Sequence, residues 1–134
     1  MAAPRSLFTH PVHLGKGAAI LPQPEFTGME WYADYIARTQ ADGDDGRLVS
    51  LYRFTQSWDS WERHPAGDEL VLCISGRITL LQEQADGTVT RQMLGPGDYA
   101  INPPGVWHSA EIAVGEEACA LFITAGRGTE HRPA

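Results

Sequence analysis

Apolar and polar residues alternate through most of this chain, and glycine or proline interrupts the alternation every few residues. From residue 47 onward the pattern reads as a succession of short strands, because neighbouring side chains on a strand face opposite ways and one face is buried. The runs L-V-S-L-Y-R-F-T (48–55), E-L-V-L-C-I-S (69–75), R-I-T-L-L-Q-E (77–83), T-V-T-R-Q-M-L (88–94), Y-A-I-N (99–102), W-H-S-A-E-I-A (107–113) and A-C-A-L-F-I-T (118–124) carry it. A further segment at 57–62 precedes the second of these. A-D-G at 85–87 is a hairpin signal, and G-P-G-D and P-P-G mark two more turns. About eight short strands spaced this way predict an all-β sandwich or small barrel.

Before residue 47 the pattern is different. Pro4, Pro11, Pro22 and Pro24, with Gly15, Gly17 and Gly28 between them, predict an irregular extended arm with room for one short strand. Over 29–38, Trp31, Tyr35 and Arg38 recur at helical spacing, although W-Y and Y-I also suit a strand. A-D-G-D-D-G at 41–46 reads as a polar turn and a mobile loop. The polar residues after Ala125 are expected to form a loose tail. The expected organisation is an arm with a short helix or strand segment over 1–46, a barrel over 47–126 and a tail over 127–134.

Composition narrows the possibilities. At 134 residues with 43% apolar content, the chain makes one domain able to bury a core unaided. A net charge of −7 leaves no basic patch for phosphates, which argues against nucleic acid and against anionic membrane surfaces. No apolar run is long enough to span a bilayer, and the first residues lack the apolar core of a signal peptide, so a cytoplasmic protein is expected. Cys73 and Cys119 lie in apolar runs and are expected to be buried, unpaired thiols. His10 and His13 have no supporting residues nearby and are expected at the surface.

The chemistry concentrates in W-E-R-H-P-A-G-D-E-L, residues 61–70. Glu62 and His64 project to one side of a strand, and Glu69 opens the next strand after a turn. His108 follows P-P-G much later and can arrive opposite them if the sheet curls over. Two imidazoles and two carboxylates suit a divalent transition metal such as Fe, Mn, Ni or Zn. By spacing alone, a set of satisfied ion pairs explains them equally well. Asp68 competes with Glu69, but an Asp after Gly67 more often caps a turn.

The wording around these residues resembles the cupin superfamily. The first cupin motif, G-x5-H-x-H-x3–4-E-x6-G, is matched at His64, Glu69 and Gly76. The second, G-x5-P-x-G-x2-H-x3-N, is matched at Gly97, Pro103, Gly105 and His108. The motifs and the strands joining them span about 57–112. The resemblance implies an antiparallel cupin-type β-barrel (a double-stranded β-helix, jelly-roll-like) and one divalent metal per chain held by His64, Glu69 and His108. It also implies a homodimer, for which the N-terminal arm is the natural strand to add to a neighbour's sheet edge. Three positions depart from the pattern: Gln56 replaces the leading Gly, Ile112 replaces the Asn, and Glu62 replaces the first His. Glu62 is then a fourth ligand, a catalytic base beside a three-ligand metal, or a bystander paired with Arg63 or Arg77.

If Glu69 points inward, Val71 and Cys73 share its face; with Glu62 and His64 come Ser60 and Trp58. One of the sets Tyr52/Phe54 and Leu51/Arg53 also lines the interior, and Tyr99 and Trp107 are candidates for the rim. An arginine among 53, 63, 77 and 91 inside the barrel would signal a carboxylate or phosphate substrate. The reading is a metal-dependent enzyme on a small organic molecule, of dioxygenase, isomerase or lyase type. The alternative is a non-catalytic module that binds or senses a small, sugar-like molecule.

Overall fold

Strand formation follows the alternation, and the computed structural model describes residues 3–134. Eleven strands are present among the described residues: β1 (Val12–Leu14), β2 (Ile20–Pro22), β3 (Arg47–Phe54), β4 (Ser60–Arg63), β5 (Glu69–Ser75), β6 (Ile78–Glu83), β7 (Val89–Leu94), β8 (Tyr99–Asn102), β9 (His108–Glu111), β10 (Ala118–Thr124) and β11 (Glu130–Pro133). They form two antiparallel sheets, ordered β2-β1-β3-β10-β5-β8 and β11-β4-β9-β6-β7. The fold is all-β and jelly-roll-like, with two separate hydrogen-bonded sheets facing each other.

The inward positions are those the alternation selects. Glu69, Val71 and Cys73 of β5 are buried, as are Ile78, Leu80 and Gln82 of β6. Val71, Cys73, Ala120 and Phe122 of one sheet meet Ile78, Leu80 and Ala110 of the other in a continuous core. Between β5 and β6 the chain turns at Gly76, with φ of 73°. A Cβ there would collide with the Glu117 carbonyl and the Ala118 backbone, so only glycine fits.

The larger sheet also carries apolar residues on its outer face. Leu51, Leu121, Leu72 and Tyr99 form one cross-strand row, and Val49, Ile123, Leu70 and Ile101 form the next. Tyr99 is 64% exposed and Ile101 50%.

The N-terminal segment is more ordered than its composition predicts. β1 and β2 extend the larger sheet through pairing of β1 with β3. The segment that suited helix or strand is a helix, α1 (Glu30–Arg38). Nine residues are too few to hold a helix in water unaided, so packing decides. Trp31 stacks on Tyr35 with ring centroids 5.5 Å apart, and both pack on Leu48 of β3. The backbone N–H and the hydroxyl of Thr39 both donate to the Tyr35 carbonyl and end the helix.

Two expectations are corrected here. His13 is buried, not a surface histidine: Nδ1 lies 2.6 Å from the Tyr35 hydroxyl and Nε2 2.6 Å from Asp42 Oδ2. The interaction was hidden because Asp42 is 29 residues away in a segment that reads as a polar loop. His13 holds the Asp42 carboxyl below its usual range, chiefly through the hydrogen bond. Gly15 and Gly46 line the pair so closely that a Cβ on either would strike Asp42 or His13. The second correction is the tail. Residues 130–133 pair with β4 as β11, so this segment belongs to the smaller sheet.

Gly76→Ala should lower stability by about 2 kcal/mol or more, combining a left-handed backbone penalty with the backbone collision. Urea unfolding checks this; an unchanged midpoint would show that the turn relaxes.

Candidate metal centre

Three side chains from three places in the chain converge on one buried point. His64 follows β4, Glu69 opens β5 and His108 opens β9. All three are buried, and one ligand atom from each lies within 4.8 Å of the others. His64 Nε2 stands 3.1 Å from Glu69 Oε2, and His108 Nε2 stands 3.2 Å from Glu69 Oε1. Asp68 is exposed, so alternation at the head of β5 sends Glu69 inward and its neighbour out.

The far sides of the three groups are fixed by neighbours. Glu69 Oε1 accepts from the Asn102 amide at 3.0 Å and Oε2 from the Thr124 hydroxyl at 2.7 Å. Asn102 in turn accepts from Gln82 at 2.8 Å. Thr129 Oγ1 gives its single proton to the Gly126 carbonyl at 2.8 Å, so it accepts from His64 Nδ1–H, 2.8 Å away. The Val106 carbonyl, 3.3 Å from His108 Nδ1, likewise accepts only a proton from that nitrogen. The neutral form of each imidazole would therefore turn an unprotonated Nε2 toward Glu69.

Those two Nε2 atoms are buried without a hydrogen-bond partner. Lone pairs on nitrogen and carboxylate oxygen facing each other at this distance repel unless a positive charge lies between them. Burial works to lower the His64 pKa, but Glu69, and then Glu62, overcome it and raise it. Burial works to raise the Glu69 pKa, yet the two imidazoles hold that carboxyl well below the usual range. Both shifts report a site that attracts a cation, whether protons or a metal ion. The spacing suits an ion, since cis ligands about 2.1 Å from an octahedral centre lie about 3.0 Å apart. The residues thus fit a divalent metal, with the fixed tautomers that metal-binding imidazoles need.

Glu62 stands at the edge of this group. It pairs in register with His108 across β4 and β9. Its Oε1 lies 3.9 Å from His64 Nε2 and 3.7 Å from His131 Nε2 of β11. Arg63 is engaged by Glu130 at 2.9 Å and Arg77 is exposed, so the expected arginine partners do not hold Glu62.

A cavity of about 870 Å³ opens in front of His64 and Glu69, with Glu62 on its wall and His108 buried behind. Tyr52, Phe54, Trp58 and Phe122 form its inner wall, and Tyr32 of α1 faces them, its hydroxyl hydrogen-bonded to that of Tyr52. Of the two sets offered by β3, Tyr52 and Phe54 are the inward one. Val71 and Cys73 share Glu69's face but pack in the core away from the cavity; Cys73 is a buried thiol whose pKa burial pushes up. Tyr99 and Trp107 are not on the rim: Tyr99 lies on the outer face, and Trp107 is stacked by Arg63 and Arg132. None of Arg53, Arg63, Arg77 and Arg91 lines the cavity.

Sequence reading missed Thr129, His131, Asn102, Thr124 and Gln82. Asn102 alone had a usable signal, since alternation through Y-A-I-N puts it on the face of Ala100.

Comparison with known proteins identifies the fold and the family. The family profile described as the cupin domain matches residues 55–125, just over half of the chain. No curated protein matches the chain by sequence. Among solved structures, oxalate oxidase is 13% identical with a TM-score of 0.54, over 62% of this chain and 44% of that one. Bacillus subtilis oxalate decarboxylase, described with Mn(II) centres, is 17% identical with a TM-score of 0.55, over 73% and 26%. Hydroxypropylphosphonic acid epoxidase from S. wedmorenis is 16% identical with a TM-score of 0.50, over 58% and 43%. The match spans less than half the length of each of these proteins, and at these identities the likeness is one of fold.

If Thr129 orients His64 as described, Thr129→Val should weaken metal binding by about 10- to 100-fold while the fold persists. Competition with a chromogenic chelator measures this; unchanged affinity would remove Thr129 from the site.

Proposed function

The chain belongs to the cupin family, and on that premise we propose that it is a metal-dependent enzyme acting on a small organic molecule. The observation that carries the proposal is the pair of orphaned, buried Nε2 atoms aimed at the Glu69 carboxylate beside a large cavity. His64, Glu69 and His108 would hold one Fe, Mn, Ni or Zn ion per chain. Such an ion supplies Lewis acidity to a chelating ligand or, as iron, a centre for oxygen chemistry. Structural neighbours of the chain include oxalate oxidase, an epoxidase and oxalate decarboxylase, which supports an oxidoreductase or lyase class without choosing between them, while an isomerase rests on the metal site alone.

The chain's own residues divide the remaining work. Asn102 and Thr124 hold the carboxylate, Thr129 and the Val106 carbonyl set the imidazole tautomers, and the aromatic wall keeps water from one side. Glu62 is placed either to complete the ligand set or to take a proton from a bound substrate, with His131 beside it as the next acceptor.

Protein purified without chelator or nickel resin should carry about one such metal per chain, and His64→Ala and His108→Ala should each abolish it. Loss of metal in Glu62→Gln would make that residue a ligand; retention with loss of turnover would make it a base. Protons compete for Nε2, so metal should leave as the pH falls. Because Glu69 raises the His64 pKa, protons should begin to weaken metal affinity at a higher pH than they would at an ordinary imidazole. Full metal in both histidine variants would refute the assignment. Ligand binding without turnover would leave a binding or sensing module.

We also propose a homodimer formed through the outer face of the larger sheet, where the two apolar rows are partly exposed and end in the exposed Tyr99 and Ile101. The sequence pointed to the arm, but β1 and β2 are spent on the edge of their own sheet. Light scattering should give twice the chain mass, and Leu72→Lys should give a monomer. A monomeric parent protein would sink the idea.

A further inference from the structure

The composition of the cavity narrows the substrate, on the reading that His64, Glu69 and His108 bind a metal. Its inner wall is a run of rings: Tyr52 to Phe54 at 6.1 Å between centroids, Phe54 to Trp58 at 5.8 Å, and Tyr52 to Phe122 at 5.8 Å. A flat apolar body fits such a surface by offset or edge contacts. The Tyr32–Tyr52 hydroxyl pair shares one hydrogen bond and so has one proton left to donate to a ligand oxygen.

Charge separates the ligand classes further. Asp59, Glu62 and Glu69 line the cavity, and among the described residues no lysine or arginine does. His131 also lines it, but lies 3.7 Å from Glu62, so its charge when protonated is already matched. An anion entering this space would find one cation, the metal, already bound by Glu69, and no lysine or arginine to pair with, while Glu62 is shared with His131 and Asp59 is exposed to solvent. Carboxylates and phosphates are instead bound where arginine or lysine can pair with them.

We propose that the site takes an uncharged ring compound carrying two adjacent oxygens, with the ring on the Tyr52–Phe54–Trp58 wall and the oxygens toward the His64–Glu69–His108 group. Dicarboxylates and phosphonates are disfavoured by the same wall and charges.

Two titrations test this at neutral pH. On Co(II)-loaded protein, maltol (a ring with two adjacent oxygens, uncharged in solution, whose hydroxyl proton passes to Glu62 or to water on chelation) and oxalate are compared through the visible spectrum, each relative to its affinity for free Co(II). Maltol should be favoured by about tenfold or more. On metal-free protein, 2-naphthol and 2-naphthoate are compared by tryptophan quenching, and the uncharged ring should again be favoured about tenfold or more. Phe54→Ala should weaken maltol and 2-naphthol by about three- to tenfold and leave oxalate unchanged. Equal or tighter binding of oxalate or 2-naphthoate would overturn the proposal. Failure of Co(II) to load would refute the metal reading instead, while the naphthol pair still decides the ligand class.

Discussion

A carboxylate buried to 4% exposure is costly unless positive charge and hydrogen bonds surround it, and Glu69 is such a group. The molecule supplies the hydrogen bonds from β8 and β10 and leaves the charge to the space between two imidazoles. Placing those partners dictates much of the topology. β5 sits between β10 and β8 in the larger sheet, which brings Thr124 to one oxygen of Glu69 and Asn102 to the other. The smaller sheet brings His108 and, through β4, the approach to His64. A structural role and a chemical one are thus joined: the group that most needs a counter-charge is also the one that would bind a metal.

Part of the cavity wall comes from outside the family-matched region. α1 lies before residue 55 and brings Tyr32 to the cavity. It stays there because Trp31 and Tyr35 pack on Leu48, and because His13 and Asp42 tie Tyr35 to the sheet-extending strand β1. The motif residues His64 and Glu69 therefore define the floor of the cavity, and the N-terminal segment shapes what can stand on it.

The sequence made the centre of the site legible and its surroundings much less so. Strands β5 to β10 followed from period-two alternation and from glycine turns, because buried faces leave a direct trace in composition. His64, Glu69 and His108 followed from motif wording. The register of β3 was open until Tyr52 and Phe54 were seen to face inward, since a one-residue slip leaves an equally apolar pattern. His13 and Thr129 were missed for a different reason. Each acts through a partner far along the chain, Asp42 for one and His64 for the other, and single residues in polar segments carry no periodic signal. β11 was read as a tail because a short polar strand lies against β4 with little apolar content to mark it.

That last strand bears on how the site is completed. The residues that grip the metal-facing groups span 64 to 129, and His64 acquires its hydrogen-bonding partner only from the segment leading into β11. Until that segment is in place, Nδ1 of this histidine lacks the acceptor that fixes its ring. An ion captured in the final geometry would have to wait for Thr129, so the segment leading into β11, and not the motif strands, would complete the site.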